Sequence, residues 1–204
     1  MAHGAGPDFA ETVGRFRGLH VWVAGDIMLD EYVSGRVDRI SPEAPIPVVR
    51  VRAEESRLGG ATNVARQIAA LGARVSLCGV VGEDAPGRVL LAQCAQNGID
   101  TRAVAQTPDH RTTRKLRVLG HGQQLLRLDW EENRPCPTAL VTELISRLRE
   151  GDPPNVVVLS DYAKGFLTEE VIAALMAEAA GHRVPVLVDL GQHRSSDTSP
   201  PQGF

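Results

Sequence analysis

Four aspartates stand where a parallel sheet exposes acids to a ligand. Asp26 and Asp30 follow the apolar run 21–25, Asp161 follows the run 156–159, and Asp189 follows the run 184–188. Ligands of open parallel sheets bind outside the carboxyl ends of the strands, so acids at those ends can meet in one cleft and grip hydroxyl groups. Taken singly, each could instead cap the turn or helix that follows it. A second signal is Gly59-Gly60-Ala61-Thr62-Asn63, placed at the start of a helix. Two glycines let a ligand approach the backbone closely. The helix start offers unpaired N–H groups, and Asn63 adds both a donor and an acceptor. The plain alternative is that Gly-Gly is only a turn. No Walker A sequence, no Gly-x-Gly-x-x-Gly opening and no His-Glu-x-x-His motif occurs, so the commonest nucleotide and zinc readings lack support.

The elements that must position these residues follow from periodicity. Residues 21–25, 75–81, 156–159 and 184–188 are short apolar runs and read as buried strands. Residues 61–71 form a helix with Val64, Ile68 and Leu71 on one face and Gly72 as its stop. Residues 86–97 form another, stopped by Gly98. Pro137 opens an amphipathic helix through Leu140, Val141, Leu144, Ile145 and Leu148. Thr168 caps the last helix, Glu169 and Glu170 suit its first turn, and Gly181 suits its end. Strands alternating with helices predict an α/β fold, a parallel sheet with helices on both faces. Two stretches break that rhythm. Pro42, Pro45 and Pro47 exclude a helix while Ile46, Val48, Val49 and Val51 favour extended chain. Residues 112–119 and 124–128 are extended around Gly120–Gly122, a hairpin. These segments, 36–52 and 112–129, predict a small β flap projecting from the body.

Composition limits the function classes. The chain has 204 residues, 43% apolar and 23% charged, enough for one substantial core. A net charge of -3 gives no reason to expect nucleic acid or an acidic membrane as partner. No apolar run approaches the ~20 residues that span a bilayer, and residues 1–17 lack an apolar signal-peptide core. Cys78, Cys94 and Cys136 are odd in number and widely spaced, which reads as core or surface thiols in a reducing cytoplasm rather than a metal site.

Gly59-Gly60-Ala61-x-Asn63-x-Ala65, six residues, Gly72, nine residues, Gly82 resembles in full the N-terminal signature of the ribokinase (PfkB) carbohydrate kinases. Gly82-x-Asp84-x-x-Gly87 extends the match. Gly25-Asp26-x-Met28-Leu29-Asp30, Arg39-Ile40-Ser41-Pro42-Glu43-Ala44-Pro45-x-Pro47-Val48, Lys115-x-Arg117-Val118, Gln123-Gln124-x-x-Arg127-x-Asp129 and Ser160-Asp161-Tyr162-x-Lys164-Gly165 resemble the heptose-7-phosphate kinase branch. That branch phosphorylates a heptose 7-phosphate at its anomeric hydroxyl with ATP and Mg2+ and feeds ADP-heptose to lipopolysaccharide cores. The resemblance covers about residues 20–189. It implies that Asp30 grips sugar hydroxyls, that Gly59, Gly60 and Asn63 form the sugar loop, and that the flap is a β-lid that covers the sugar and forms a homodimer contact. A heptose phosphate also needs cations, for which Arg39, Lys115, Arg117 and Lys164 are available, arginine through its forked donors. Solvated surface charge is the alternative for each. Arg127 and Asp129 could simply pair across the hairpin, and Tyr162 reads as packing.

The resemblance also implies a departure. The family continues Asp-Pro-Lys-Gly after the strand ending at Asp189, where this sequence reads Asp189-Leu190-Gly191 and turns polar. The expected layout is a leader (1–18), the N-terminal part of a kinase domain (19–189) and a disordered polar tail (190–204), in a C-terminally truncated or frame-shifted product. On that expectation the ATP and Mg2+ site and the catalytic Asp are missing, and the chain alone is inactive. The competing expectation is a non-catalytic sugar-phosphate-binding or dimerising module.

Overall fold

Two sheets share the chain. The computed structural model describes residues 9–190; the expected tail from 191 onward and residues 1–8 of the expected leader lie outside the described residues. The body is a five-stranded parallel sheet in the order β5-β4-β1-β8-β9. Its centre is β1 (His20–Gly25), paired in parallel with β4 (Arg74–Gly82) and β8 (Val156–Asp161). All of β1 is buried, as expected of a strand covered on both faces. Trp22 and Ala24 point into a core with α4 (Thr138–Arg149) and α5 (Glu169–His182). Val21 and Val23 point into a second core with α2 (Ala61–Ala70) and α3 (Ala85–Gln96).

The helices follow their sequence signals, with two departures. In α2 the buried residues are Ala61, Thr62 and Ala65; Val64 and Ile68 are half-buried, and Leu71 is the exposed C-cap rather than part of a buried face. In α4, Val141, Leu144, Ile145 and Leu148 form the buried stripe. Thr168 caps α5 by accepting a hydrogen bond from the Val171 N–H at 3.3 Å. Gly181 does not stop α5. The helix runs on to His182, and Arg183 takes the left-handed conformation with φ 58. The N–H of Val184 then closes the end on the Ala179 carbonyl at 3.0 Å. Short α1 (Phe9–Gly14) precedes the body. Strand β5 (Ile99–Thr107) was not legible in the sequence: a register shift and the polar pair Asp100–Arg102 interrupt its pattern, although Ile99, Ala103, Val104 and Ala105 are buried. Strand β9 (Val186–Leu190) closes the body, with Leu187, Val188 and Leu190 exposed among the described residues. Cys78, Cys94 and Cys136 are free, buried core thiols; burial pushes Cys78 and Cys94 up to about 12 and Cys136 up to about 11.

The second sheet has four strands in the order β3-β2-β6-β7. It holds both segments that break the strand–helix rhythm. β2 (Ile27–Ile40) leaves the end of β1 and returns as β3 (Pro47–Gly60). The proline-rich stretch makes the tip, closed by the Ser41 N–H on the Ile46 carbonyl at 2.8 Å. β6 (Thr113–Gly120) runs parallel to β2 and turns through His121-Gly122 into β7 (Gln123–Trp130). Alternation makes the sheet two-faced. One face carries the cross-strand rows Arg57, Asp30, Lys115, Asp129 and Glu55, Tyr32, Arg117, Arg127. The other carries Val33, Leu116, Val118, Leu126 and Leu128.

Candidate functional site

The charged face of the second sheet meets the body at the carboxyl edge of the parallel strands, and Asp26 organises that junction. Its carboxylate accepts hydrogen bonds from the backbone N–H groups of Tyr162 (2.8 Å), Lys164 (3.1 Å) and Phe166 (3.1 Å). Its carbonyl accepts the Ala61 N–H at 3.0 Å, where α2 begins. Asp26 is therefore a buried tether for the turn after β8, not an acid free in the cleft; among the strand-end acids it takes the capping role. Asp161 likewise accepts the Ala163 N–H within its own turn at 2.8 Å. Asp189 receives the Ser160 hydroxyl at 3.5 Å. Asp30 does not lie in a turn but inside β2, as its fourth residue.

The glycine pair is built around Asp30. A Cβ on Gly59 would lie 2.5 Å from Asp30 Oδ2, so the space a side chain would fill is taken by that carboxylate. Gly60 has φ 53, a conformation that L side chains rarely adopt, and a Cβ there would meet the Asp26 carbonyl at 2.4 Å. The Thr62 hydroxyl donates to the Gly59 carbonyl at 2.5 Å and steadies the start of α2. Asn63 sits in that first turn, half-buried, its Oδ1 accepting from Arg66 at 2.9 Å.

Around Asp30 the cations form ion pairs. Arg117 donates to Asp30 Oδ1 at 2.7 Å and lies over the Tyr32 ring with 5.4 Å to its centroid. Burial works against the Arg117 charge, but Asp30 outweighs it and holds the guanidinium above its ordinary value. Lys115 Nζ reaches Asp129 Oδ2 at 3.1 Å and Glu131 Oε2 at 2.8 Å. Lys164 Nζ, from the turn after β8, reaches Glu131 Oε1 at 3.0 Å. Burial would raise the Glu131 carboxyl, yet hydrogen bonds from both lysines hold it below the usual range. The Tyr162 phenol is pushed up by burial and by the charges of Asp189 and Asp30.

Lys115, Arg117 and Lys164 are thus not solvated surface charges; their side chains are 16%, 24% and 22% exposed. Nor do they project an unbalanced positive field, because each already holds a carboxylate. Arg39 is not brought to this cluster. It lies at the far end of β2, exposed, at about 30 Å from Asp30 by the ~3.3 Å rise per strand residue. Arg127 and Asp129 do pair, at 3.0 Å, but within β7 rather than across the hairpin. Three participants were missed: Tyr32, Arg57 and Glu131. Their signal is the period of two, since Asp30-x-Tyr32 and Arg127-x-Asp129-x-Glu131 place alternate residues on one face.

Beside the cluster a cavity of about 280 Å³ opens, lined by Asp26, Ile27, Thr107, His110, Thr113 and Lys164 among others. Burial holds the His110 imidazole below its ordinary value. Among the described residues no three His, Cys, Asp or Glu side chains converge as a metal site, and no helix is long and apolar enough to cross a membrane. Chemically the site offers hydroxyl acceptors (Asp30), an amide (Asn63) and a two-lysine clamp that grips one carboxylate.

Residues 20–191 match the description "pfkB family carbohydrate kinase". The "D-beta-D-heptose 7-phosphate kinase" of Bordetella bronchiseptica is 52% identical over 180 residues, covering 88% of this chain and 55% of that protein. The "Bifunctional protein HldE" of Geobacter metallireducens is 45% identical over 174 residues, covering 85% of this chain and 36% of that protein. The chain therefore spans about half or less of the length of these relatives. Among solved structures, Arabidopsis thaliana ribokinase complexed with ribose and ATP superposes with a TM-score of 0.58 at 19% identity, covering 85% of this chain and 54% of that one.

Proposed function

This chain belongs to the pfkB family of carbohydrate kinases, and from that premise we propose that it carries the sugar side of a heptose 7-phosphate kinase. The observation that supports the reading best is the convergence of separately quoted motifs on one edge: Asp30 against Gly59, Asn63 in the first turn of α2, and Lys115 with Lys164 on one anion. In this reading Asp30 accepts hydrogen bonds from sugar hydroxyls, Asn63 adds a donor and an acceptor, and Lys115, Arg117 and Lys164 bind the 7-phosphate. The second sheet is the lid over the sugar, and Asp161 lies at its rim. The reaction is transfer of a phosphoryl group from ATP to the anomeric hydroxyl, with Mg2+, in the cytoplasm, towards ADP-heptose for lipopolysaccharide cores.

Among the described residues no three His, Cys, Asp or Glu side chains converge on a metal; in this reading what they supply is sugar recognition. Phosphoryl transfer rests on positioning and electrostatics around the nucleotide, and a general base alone is typically worth ~10²–10⁴-fold. In this reading the chain binds heptose 7-phosphate and is expected to turn it over well below a kinase-like rate. A homodimer through the lid is supported by Ile40, Ile46 and Leu126, each more than half exposed.

Calorimetry of the purified chain with heptose 7-phosphate, unphosphorylated heptose and fructose 6-phosphate tests the reading. Tightest binding to the first is expected. Equal affinity for all three, or none, refutes it. An ADP-release assay with ATP and Mg2+ tests the rate, and sustained turnover that tracks the chain through purification would overturn that part.

A further inference from the structure

We propose that Glu131 is a built-in occupant of the phosphate position, an internal anion that a phosphomonoester must displace. The inference rests on the phosphate-binding reading of Lys115 and Lys164 given above, and deepens it by assigning a third residue to the phosphate position.

Two lysines from separate parts of the fold converge on the two oxygens of one carboxylate. Lys115 comes from β6 in the second sheet and meets Oε2 at 2.8 Å; Lys164 comes from the turn after β8 in the body and meets Oε1 at 3.0 Å. Both ammonium groups are largely withdrawn from water, at 16% and 22% exposure. A phosphate ester presents the same pattern of paired oxygens with about -1.5 to -2 charges at neutral pH, so the geometry that holds Glu131 also suits that ligand.

Glu131 is free to leave. It stands just beyond the last residue of β7, in a stretch without helix or strand before α4, and its side chain is one-third exposed. Swinging it into water breaks no strand pairing. Lys115 keeps Asp129 at 3.1 Å when Glu131 departs, and the Lys164 backbone stays tethered to Asp26 at 3.1 Å. The clamp therefore survives the exchange of one anion for another.

The consequence is a threshold on affinity. Free phosphate must displace Glu131 with only the lysine contacts to gain. A sugar phosphate also gains contacts at Asp30 and Asn63, so it can drive the exchange. Glu131 thus lowers the affinity for every phosphate-bearing ligand by a similar factor, so that at a given concentration only those with a sugar attached are well bound.

Calorimetry on the full chain tests this with three probes: heptose 7-phosphate, inorganic phosphate and unphosphorylated heptose. Glu131→Gln is expected to tighten both phosphate-bearing probes by roughly tenfold, the scale of losing one partly exposed competing ion pair per lysine, and to leave heptose unchanged. Glu131→Ala should move the same way, and circular dichroism should show both variants folded. Lys164→Met should weaken heptose 7-phosphate by at least about tenfold and not affect heptose. If Lys164→Met weakens binding but neither Glu131 variant tightens it, the occupant role is overturned and the phosphate site stands. If Lys115→Met and Lys164→Met both leave heptose 7-phosphate affinity unchanged, the phosphate site falls and the occupant role with it.

Discussion

Replacing Asp84 with alanine should unfasten the second sheet from the body. Asp84 is the N-cap of α3, its Oδ1 accepting the Gly87 N–H at 2.8 Å. The same carboxylate accepts the Thr112 N–H at 3.0 Å and the Thr112 hydroxyl at 2.7 Å. Thr112 is 1% exposed and immediately precedes β6, so these bonds fix where the strand bearing Lys115 and Arg117 leaves the body. Loss of an N-cap is worth about 1 kcal/mol. Leaving the buried Thr112 donors without their charged acceptor adds about 1–3 kcal/mol. The expected total is about 2–4 kcal/mol, a large share of the ~5–15 kcal/mol that holds a domain folded. Burial would raise the Asp84 carboxyl, but the bonds from Thr112 and Gly87 prevail and its folded value lies below the ordinary one. For a lowered acid the stabilisation is complete above the unfolded value of ~3.9 and is lost as pH falls through the folded value. Urea titrations of both proteins should therefore differ by a constant amount from pH 5 to 8, and the gap should close below about pH 4. A gap under about 0.5 kcal/mol at pH 7, or one that widens in acid, would refute the reasoning.

Gly59→Ala should push the Asp30 carboxylate off its seat, since the added Cβ would sit 2.5 Å from Oδ2. Overpacking of this kind destabilises by ~1–3 kcal/mol, and calorimetry should show heptose 7-phosphate affinity falling with it; unchanged affinity would show that Asp30 does not need this placement. The three buried thiols, with values pushed up to about 11 or 12, should resist a thiol reagent at pH 8 in the native protein and react together in denaturant; fast native labelling would contradict their burial. Light scattering of the purified chain should report a dimer that Leu126→Asp dissociates, and a monomer at all concentrations would remove the lid contact.

The fold was legible where one physical signal dominated. Apolar runs, broken in β4 only by Ser76, marked β1, β4 and β8, and the stripe from Val141 to Leu148 marked α4. The prolines at 42, 45 and 47 announced a departure from the strand–helix rhythm because proline cannot continue a helix. β5 was hidden because Asp100 and Arg102 interrupt its apolar face. At the site, residue types pointed to Asp30 and the glycine pair, while the partners stayed illegible. Nothing in the sequence says that Asp26 would be consumed by three backbone N–H groups, or that Lys115 and Lys164 would share Glu131. Those facts depend on how the turn after β8 faces β6, which only the packed sheets decide. Arg39 illustrates the converse: its motif is quoted with the others, yet strand length carries it to the far end of the sheet.

In the proposed function Asp30, Gly59, Gly60, Asn63 and Lys164 form one sugar-phosphate site. Backbone amide NMR of the chain titrated with heptose 7-phosphate tests it most directly. Saturable shifts are expected at those five residues together with Lys115 and Arg117, and none at Arg39. Shifts confined to the far end of β2 and β3, or no saturable shifts at concentrations that saturate a heptose 7-phosphate kinase, would contradict it.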